Sequence, residues 1–147
     1  MFVPSCESLL NALNVDKFAL DGNGQINVPA RFLKLLVQVA LAASEFDEER
    51  YLRENPDVAK AVGRGELESA HMHYIGFGYF EGRLGGGSAV DSDWYLSKYP
   101  DVATAVKDGR VKSAEAHFHS IGGGEGRCPA PDYEADAGQW ESAIRGA

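Results

Sequence analysis

Two sets of three residues have the side chains that acyl-transfer chemistry uses: a serine nucleophile, a histidine base and an aspartate that could orient the base. They are Ser69, His73 and Asp57, and Ser113, His117 and Asp101. Serine and histidine lie four positions apart in each set, which places them on one face of a helix. A serine inside a helix tends to bond its own backbone, and no motif for an oxyanion hole is visible. We therefore expect these residues to be structural and the protein to have no enzymatic activity.

All four histidines of the chain fall in two His-x-His pairs, a composition that raises the question of a metal site. The pairs are His71 with His73 and His117 with His119. Residues two apart on a helix point in different directions, so a chelating pair needs a spacing of three or four. We predict instead that His73 and His117 pack and hydrogen-bond to the local turn, and that no metal is bound.

Aromatic and charged residues around two glycine-rich turns are the candidates for a binding surface. The candidates are Tyr74, Phe77, Tyr79, Phe80, Glu81 and Arg83 in the first turn, Glu125 and Arg127 in the second, and Trp140 near the end of the chain. Aromatic rings in such a cluster either stack on a ligand or form the core. The two arginines could instead form ion pairs with Asp57 and Asp101 of their own segments. The glycines miss the spacing of a dinucleotide-binding loop, so we expect no cofactor.

The candidates recur because the chain contains an internal repeat. Residues 46–83 and 90–127 align without a gap at an offset of 44, with 17 identities in 38 positions. This period is typical of repeat units that bury their apolar faces against one another. The stretch 84–89, here called the joint, is glycine-rich and would let the second copy dock on the first. One compact domain would then comprise an N-terminal helical segment (1–45), repeat 1 (46–84), repeat 2 (90–127) and a C-terminal arm (128–147).

Each copy predicts three helices. An aspartate N-cap, a proline that begins the second helix and a glycine that ends it recur as Asp47, Pro56 and Gly65, and as Asp91, Pro100 and Gly109. A third helix is predicted from about Glu66 to Gly76. The fold class is therefore mainly α, with two tandem three-helix repeats and an N-terminal helical segment.

The N-terminal segment predicts two helices around an irregular stretch. Residues 5–15 indicate a short amphipathic helix, and 20–32 indicates a turn or one short β-hairpin. The helix predicted over 29–44 is apolar around most of its circumference. Such a helix lies either in the core or in a homodimer contact. Self-association through this helix or through the C-terminal arm is one expected mode of binding.

Charge and cysteine content narrow the functional classes. The net charge of −8 argues against nucleic-acid binding and against attachment to an anionic membrane, and no apolar run is long enough to insert into one. Only Cys6 and Cys128 are present, too few for a disulfide scaffold. Two ordinary thiols are typical of a protein in a reducing compartment, so we predict a soluble cytoplasmic protein.

The repeated residues resemble the short "NPDVA…HY…G…EGR" modules of bacterial proteins, which accompany polysaccharide glycosyltransferases or occur in repeat-containing surface proteins. The resemblance covers 46–83 and 90–127, about half the chain. It implies a small helical accessory module in an envelope or polysaccharide context, and it supplies no catalytic residues. Gly123 and Gly124 replace Tyr79 and Phe80 in repeat 2, so equal binding by the two copies is not expected. We expect a scaffold that binds a protein partner or, alternatively, a module that binds an oligosaccharide.

Overall fold

Helices dominate the computed structural model, which describes residues 2–22 and 24–146. In chain order the α-helices are α1 (Cys6–Leu13), α2 (Ala30–Ala43), α3 (Glu48–Glu54), α4 (Pro56–Gly63), α5 (Ala70–His73), α6 (Ser92–Lys98), α7 (Pro100–Lys107), α8 (Ala114–His117) and α9 (Glu134–Arg145). Short 3₁₀ turns occupy Lys17–Leu20 and Pro131–Tyr133. The described residues contain no strand, so the mainly helical fold class is confirmed.

The β-hairpin considered for 20–32 does not form in the described part of that stretch; Asn23, within the predicted turn, lies outside it. Asp16 accepts a hydrogen bond from the Phe18 amide at 2.8 Å and so caps the 3₁₀ turn that contains Leu20. Pro29, at the other end, has no N–H to donate to a ladder. Residues 24–29 therefore reach α2 without regular structure.

The first two helices of each copy begin and end as the sequence predicts. The Asp47 side chain accepts from the Arg50 amide, and Asp91 accepts from the Trp94 amide, so both aspartates are N-caps. Prolines begin α4 and α7. The glycines after these helices, Gly65 and Gly109, both have φ of 72°. A left-handed conformation at this position favours glycine and closes the helix end.

The third helix of each copy starts later than predicted. Residues 66 and 67 are not helical, because both of their amides turn back to the Ala61 carbonyl. Ser69 and Ser113 are the N-caps of α5 and α8. Each of these helices then widens into one π-helical turn, at Tyr74–Gly78 and at Phe118–Gly122. The third element is thus a short α-helix joined to a π turn, where an α-helix from 66 to 76 was predicted.

Each repeat has its own small core. In repeat 1 the buried residues are Tyr51, Val58, Ala70 and Tyr74; in repeat 2 they are Tyr95, Val102 and Ala114. The buried side chains come from equivalent helices, since Tyr51, Val58 and Ala70 align with Tyr95, Val102 and Ala114 at the offset of 44. A tyrosine at the centre of each core brings a hydroxyl group into an apolar environment, where it needs a hydrogen-bond partner.

Helix α2 packs on repeat 1 along one edge. The Gln38 side-chain amide donates to the Ile75 carbonyl at 3.3 Å, Lys34 Nζ lies 4.6 Å from the centre of the Phe80 ring, and Leu41 packs against the core. No residue of α2 is fully buried. Of the two alternatives for this helix, a central place in the core is therefore wrong.

The C-terminal arm forms a 3₁₀ turn and then α9, which lies on repeat 2. Lys98 bonds the Glu134 carboxylate, and Arg145 donates to the Glu125 carbonyl at 3.2 Å. Cys128, at the start of the arm, is buried, whereas Cys6 is exposed. Within residues 2–22 and 24–146, every helix is too short or too polar to span a bilayer.

Candidate functional site

A tyrosine–histidine hydrogen bond links the first and third helices of each repeat. Tyr51 Oη lies 2.9 Å from His73 Nδ1, and Tyr95 Oη lies 3.0 Å from His117 Nδ1. Burial raises the pKa of both tyrosines to about 12, so the hydroxyls keep their protons at any physiological pH. The sequence predicted that these histidines hydrogen-bond to the local turn. The structure gives a different partner, the buried tyrosine hydroxyl of the first helix, which needs a hydrogen-bond partner because it is shielded from water.

An arginine joins the end of each repeat to the start of its second helix. Arg83 Nη1 lies 2.9 and 2.8 Å from the two carboxylate oxygens of Asp57, and Arg83 Nε lies 2.7 Å from Glu81 Oε2. Arg127 makes the equivalent contacts with Asp101 and Glu125. The hydrogen bond from arginine lowers the pKa of Asp57, and it lowers that of Asp101 to about 2. The ion pairs predicted from the sequence are therefore present in both repeats.

The residues that resembled a catalytic set have separate partners. Ser69 Oγ accepts from the Met72 amide at 3.1 Å, as an N-cap does. His73 bonds Tyr51, and Asp57 bonds Arg83. The serine was interpreted as lying inside a helix, but it precedes the helix in extended conformation. The three side chains perform three structural tasks, and the same division holds for Ser113, His117 and Asp101.

The remaining two histidines also have distinct environments. His71 stacks on Phe46, with ring centres 4.5 Å apart and planes inclined by 17°. His119 Nε2 lies 3.9 Å from Glu115 Oε1. Among residues 2–22 and 24–146, no three histidine, cysteine or acidic side chains come together as a metal site would require.

Three aromatic side chains remain open to solvent beside the first glycine-rich turn. Phe77, Tyr79 and Phe80, here called the aromatic corner, are exposed by 59%, 45% and 42%. Tyr79 and Phe80 meet edge to face at 5.2 Å. Tyr74, the fourth candidate ring, is 3% exposed and belongs to the core of repeat 1. It is therefore removed from the candidate binding residues.

The charged candidates of both turns have intramolecular partners. Arg83 and Arg127 are each shared between two carboxylates, one of them two residues earlier in the turn. The same contacts occur in repeat 2, where the aromatic pair is missing, so they do not depend on that pair. A ligand that used these arginines would have to compete with those carboxylates.

The C-terminal arm contacts the equivalent turn of repeat 2, although Ile121, at the position of Phe77, stays 52% exposed. A Cβ at Gly126 would lie 2.6 Å from Glu141 Cδ of α9, so the helix approaches the turn closely. Two glycines, Gly123 and Gly124, stand where repeat 1 has Tyr79 and Phe80. The two copies therefore present different surfaces, in agreement with the sequence. Trp140 projects from α9 with 61% of its surface exposed.

An apolar surface that sequence reasoning did not assign to the site lies on α2. Leu33 and Leu36, here called the outer face of α2, are exposed by 55% and 50%, and Leu35, which points to another side of the helix, is exposed by 54%. Arg31 and Lys34 are the only charged residues of this helix. The signal was present in the sequence, as a helix apolar around most of its circumference. Which side would be left open depends on how α2 packs, and the sequence does not specify that.

Comparison of the chain with models of protein families, with curated proteins and with solved structures gives no match.

Proposed function

We propose that this protein is a non-enzymatic protein-interaction module, in which the outer face of α2 binds an apolar surface of a partner protein. One observation supports the proposal: Leu33 and Leu36, three positions apart on one side of α2, are about half exposed, while Gln38 and Leu41 hold the helix on repeat 1. Neighbouring apolar side chains that stay exposed on a small domain are typical of an interaction site.

The charges around this face indicate the kind of partner. Helix α2 has two basic residues and no acidic one, in a chain whose net charge is −8. A partner with an apolar helix flanked by carboxylates would bury the leucines and pair with Arg31, while Lys34 stays over the Phe80 ring of repeat 1. Charge complementarity of this type selects the partner and raises the association rate more than it raises affinity.

A binding role without catalysis is supported by the hydrogen bonds of the residues that could do chemistry. The serines cap helices, the histidines at 73 and 117 bond buried tyrosines, and the aspartates at 57 and 101 bond arginines. The resemblance of the repeats to bacterial modules supports placing the interaction in an envelope or polysaccharide pathway. In that setting the chain would act as an adaptor.

The test is a binding measurement with a variant of the outer face. The chain is used to capture a partner from its native lysate, the partner is purified, and its affinity for the wild type and for the double variant Leu33→Asp/Leu36→Asp is measured by calorimetry. We expect the double variant to bind at least about tenfold more weakly, since that corresponds to a loss of about 1.4 kcal/mol.

A matched control uses an apolar residue that is equally open elsewhere. Ile144 on α9 is 63% exposed, and Ile144→Asp should leave the affinity unchanged. Unchanged binding by the double variant would overturn the proposal. Light scattering of the purified chain shows whether the captured partner is a second copy, the homodimer through 29–44; a dimer lost in the double variant would identify that copy as the partner.

A second candidate function, the binding of an oligosaccharide, is favoured by the aromatic corner. Exposed tyrosine and phenylalanine rings are suited to stacking on the apolar faces of sugars, and Arg83 and Glu81 lie at the same turn. Screening on a glycan array would test it. Binding lost in Tyr79→Ala and retained in Leu33→Asp/Leu36→Asp would move the function from α2 to the corner.

A further inference from the structure

The contact between the two repeats contains charged groups. Arg50 of α3, in repeat 1, donates through Nε to the Gly85 carbonyl at 3.0 Å and through another guanidinium nitrogen to the Gly87 carbonyl. Arg50 Nη1 also lies 3.7 Å from Glu115 Oε1 in repeat 2. One side chain therefore touches repeat 1, the joint and repeat 2. Its exposed fraction is only 15%, so these contacts are largely shielded from water.

His119 of repeat 2 packs against the same joint. Its side chain is 17% exposed, and its Nε2 lies 3.9 Å from Glu115 Oε1. Both atoms are buried and lack a hydrogen-bond partner in the described part of the chain. A Cβ at Gly87 would lie 2.9 Å from His119 Cε1 and 3.2 Å from Tyr74 Oη. The imidazole thus lies close against the backbone of the joint, between Glu115 and Tyr74 of repeat 1.

We propose that His119 makes the docking of repeat 2 on repeat 1 sensitive to pH, so that protonation of its imidazole loosens the contact between the repeats. The groups that face this imidazole are Glu115 on α8, Arg50 on α3 and the Tyr74 hydroxyl across Gly87. Glu115 is already shared with Arg50, whose positive charge opposes a second cation at the same carboxylate. Moving a charged imidazole into this shielded position also costs solvation.

The burial of His119 also favours its neutral form in the docked state. It lowers the pKa of His119, Glu115 acts in the opposite sense, and Arg50 lowers it further. A histidine whose pKa is lower in the docked state stabilises docking fully above the pKa of the free imidazole, about 6.5, and this contribution is lost as the pH falls below that value. The contribution of His119 to docking is therefore present in full at neutral pH and weakens in mildly acidic solution. This inference does not depend on the identity of a partner.

Repeat 1 provides a replacement for the histidine. The residue equivalent to His119 is Ile75, and the residue equivalent to Glu115 is His71. An isoleucine at position 119 is therefore a side chain that the repeat already accommodates after its third helix. His119→Ile removes the titrating group without removing the packing, and His119→Gln is a second, polar variant that also cannot titrate.

The experiment measures the shape of the full chain in solution as a function of pH. Small-angle X-ray scattering and thermal unfolding are recorded from pH 7.5 to pH 5.0 for the wild type, His119→Ile, His119→Gln and the control His71→Gln. We expect the radius of gyration to rise and the melting temperature to fall on acidification in the wild type and in the control, and both changes to be reduced in the two position-119 variants.

Nuclear magnetic resonance titration of the wild type supplies a readout that depends on neither the shape nor the stability of the chain. Its histidine signals, assigned by comparison with His119→Gln, should show His119 titrating below the value of a free imidazole. An apparent pKa at or above about 6.5, or an unchanged acid response in a position-119 variant that folds at neutral pH, would overturn the proposal. A response lost only in His71→Gln would overturn it as well.

Discussion

Tyr51 and His73 are joined by a hydrogen bond of 2.9 Å across the core of repeat 1, and Tyr95 and His117 repeat it at 3.0 Å in repeat 2. Each bond connects the first helix of a repeat to its third, 22 positions later in the chain. Both tyrosines are fully buried. A buried hydroxyl without a partner is costly, so the histidine is what allows a tyrosine to occupy the centre of such a small core.

Removal of the Tyr51 hydroxyl, which makes this hydrogen bond, should destabilise the protein. Tyr51→Phe keeps the ring but leaves His73 Nδ1 without its partner, and we expect the free energy of unfolding to fall by about 1–3 kcal/mol. Urea denaturation measures the change. Tyr79→Phe is the matched control. The Tyr79 ring is 45% exposed, and loss of its hydroxyl should cost less than about 0.5 kcal/mol. Equal effects in the two variants would contradict a structural role for the bond.

A glycine of the π turn should be required because it lies against the Tyr51 hydroxyl. A Cβ at Gly78 would overlap Tyr51 Oη and lie 3.1 Å from Tyr51 Cζ. We expect Gly78→Ala to cost about 1–3 kcal/mol, as overpacking of a core does. Gly76 lies in the same turn with open space around its Cβ position. Gly76→Ala should therefore be neutral or slightly stabilising, and a similar loss in both variants would show that the turn, and not the close approach, is responsible.

Local signals predicted the helices of the repeats well. Asp47 and Pro56 act within one or two turns of their own positions, so the start of α3 and of α4 follows from the sequence. The ion pair between Arg83 and Asp57 was also predicted, because the repeat places the same charges at the same separation twice.

The errors concern features that neither the apolar pattern nor the capping residues of a helix specify. Ser69 was placed inside a helix because its surroundings suit one, but the chain after α4 first turns back to the Ala61 carbonyl. The partner of His73 is a hydroxyl from another helix, and no spacing rule identifies it. The outer face of α2 is exposed to solvent because only the edge that contains Gln38 contacts repeat 1, and the sequence does not specify that edge.

The role of Ser69 as an N-cap can be separated from any chemical role. Ser69→Ala removes the acceptor of the Met72 amide, and we expect a loss of about 1 kcal/mol in the free energy of unfolding. Ser69→Asp should retain the stability of the wild type, because aspartate caps a helix as well as serine does. Chemical denaturation measures both. If Ser69→Asp is as unstable as Ser69→Ala, the hydroxyl has a task other than capping.

The ion pair of repeat 2 should make stability depend on pH in the acidic range. The hydrogen bond from Arg127 lowers the pKa of Asp101 to about 2 in the folded protein, whereas an aspartate in the unfolded chain has a pKa of about 3.9. Between these values the unfolded chain binds the proton first, so stability rises with pH. The contribution of Asp101 is present in full above about pH 4 and is lost as the pH falls toward 2.

Asp101→Asn should therefore differ from the wild type at pH 5 and approach it near pH 2. Urea unfolding at pH 5.0, 4.0, 3.0 and 2.5 gives the difference in the free energy of unfolding at each pH, which we expect to shrink steadily as Asp101 is protonated. Gln139→Ala at an exposed position of α9 is the control, and its difference from the wild type should stay nearly constant because the change removes no titrating group. A difference for Asp101→Asn that does not change with pH would mean that the carboxylate, although close to Arg127, gains no stability from its charge, and that the neutral hydrogen bond of an amide is enough to join the turn to α7.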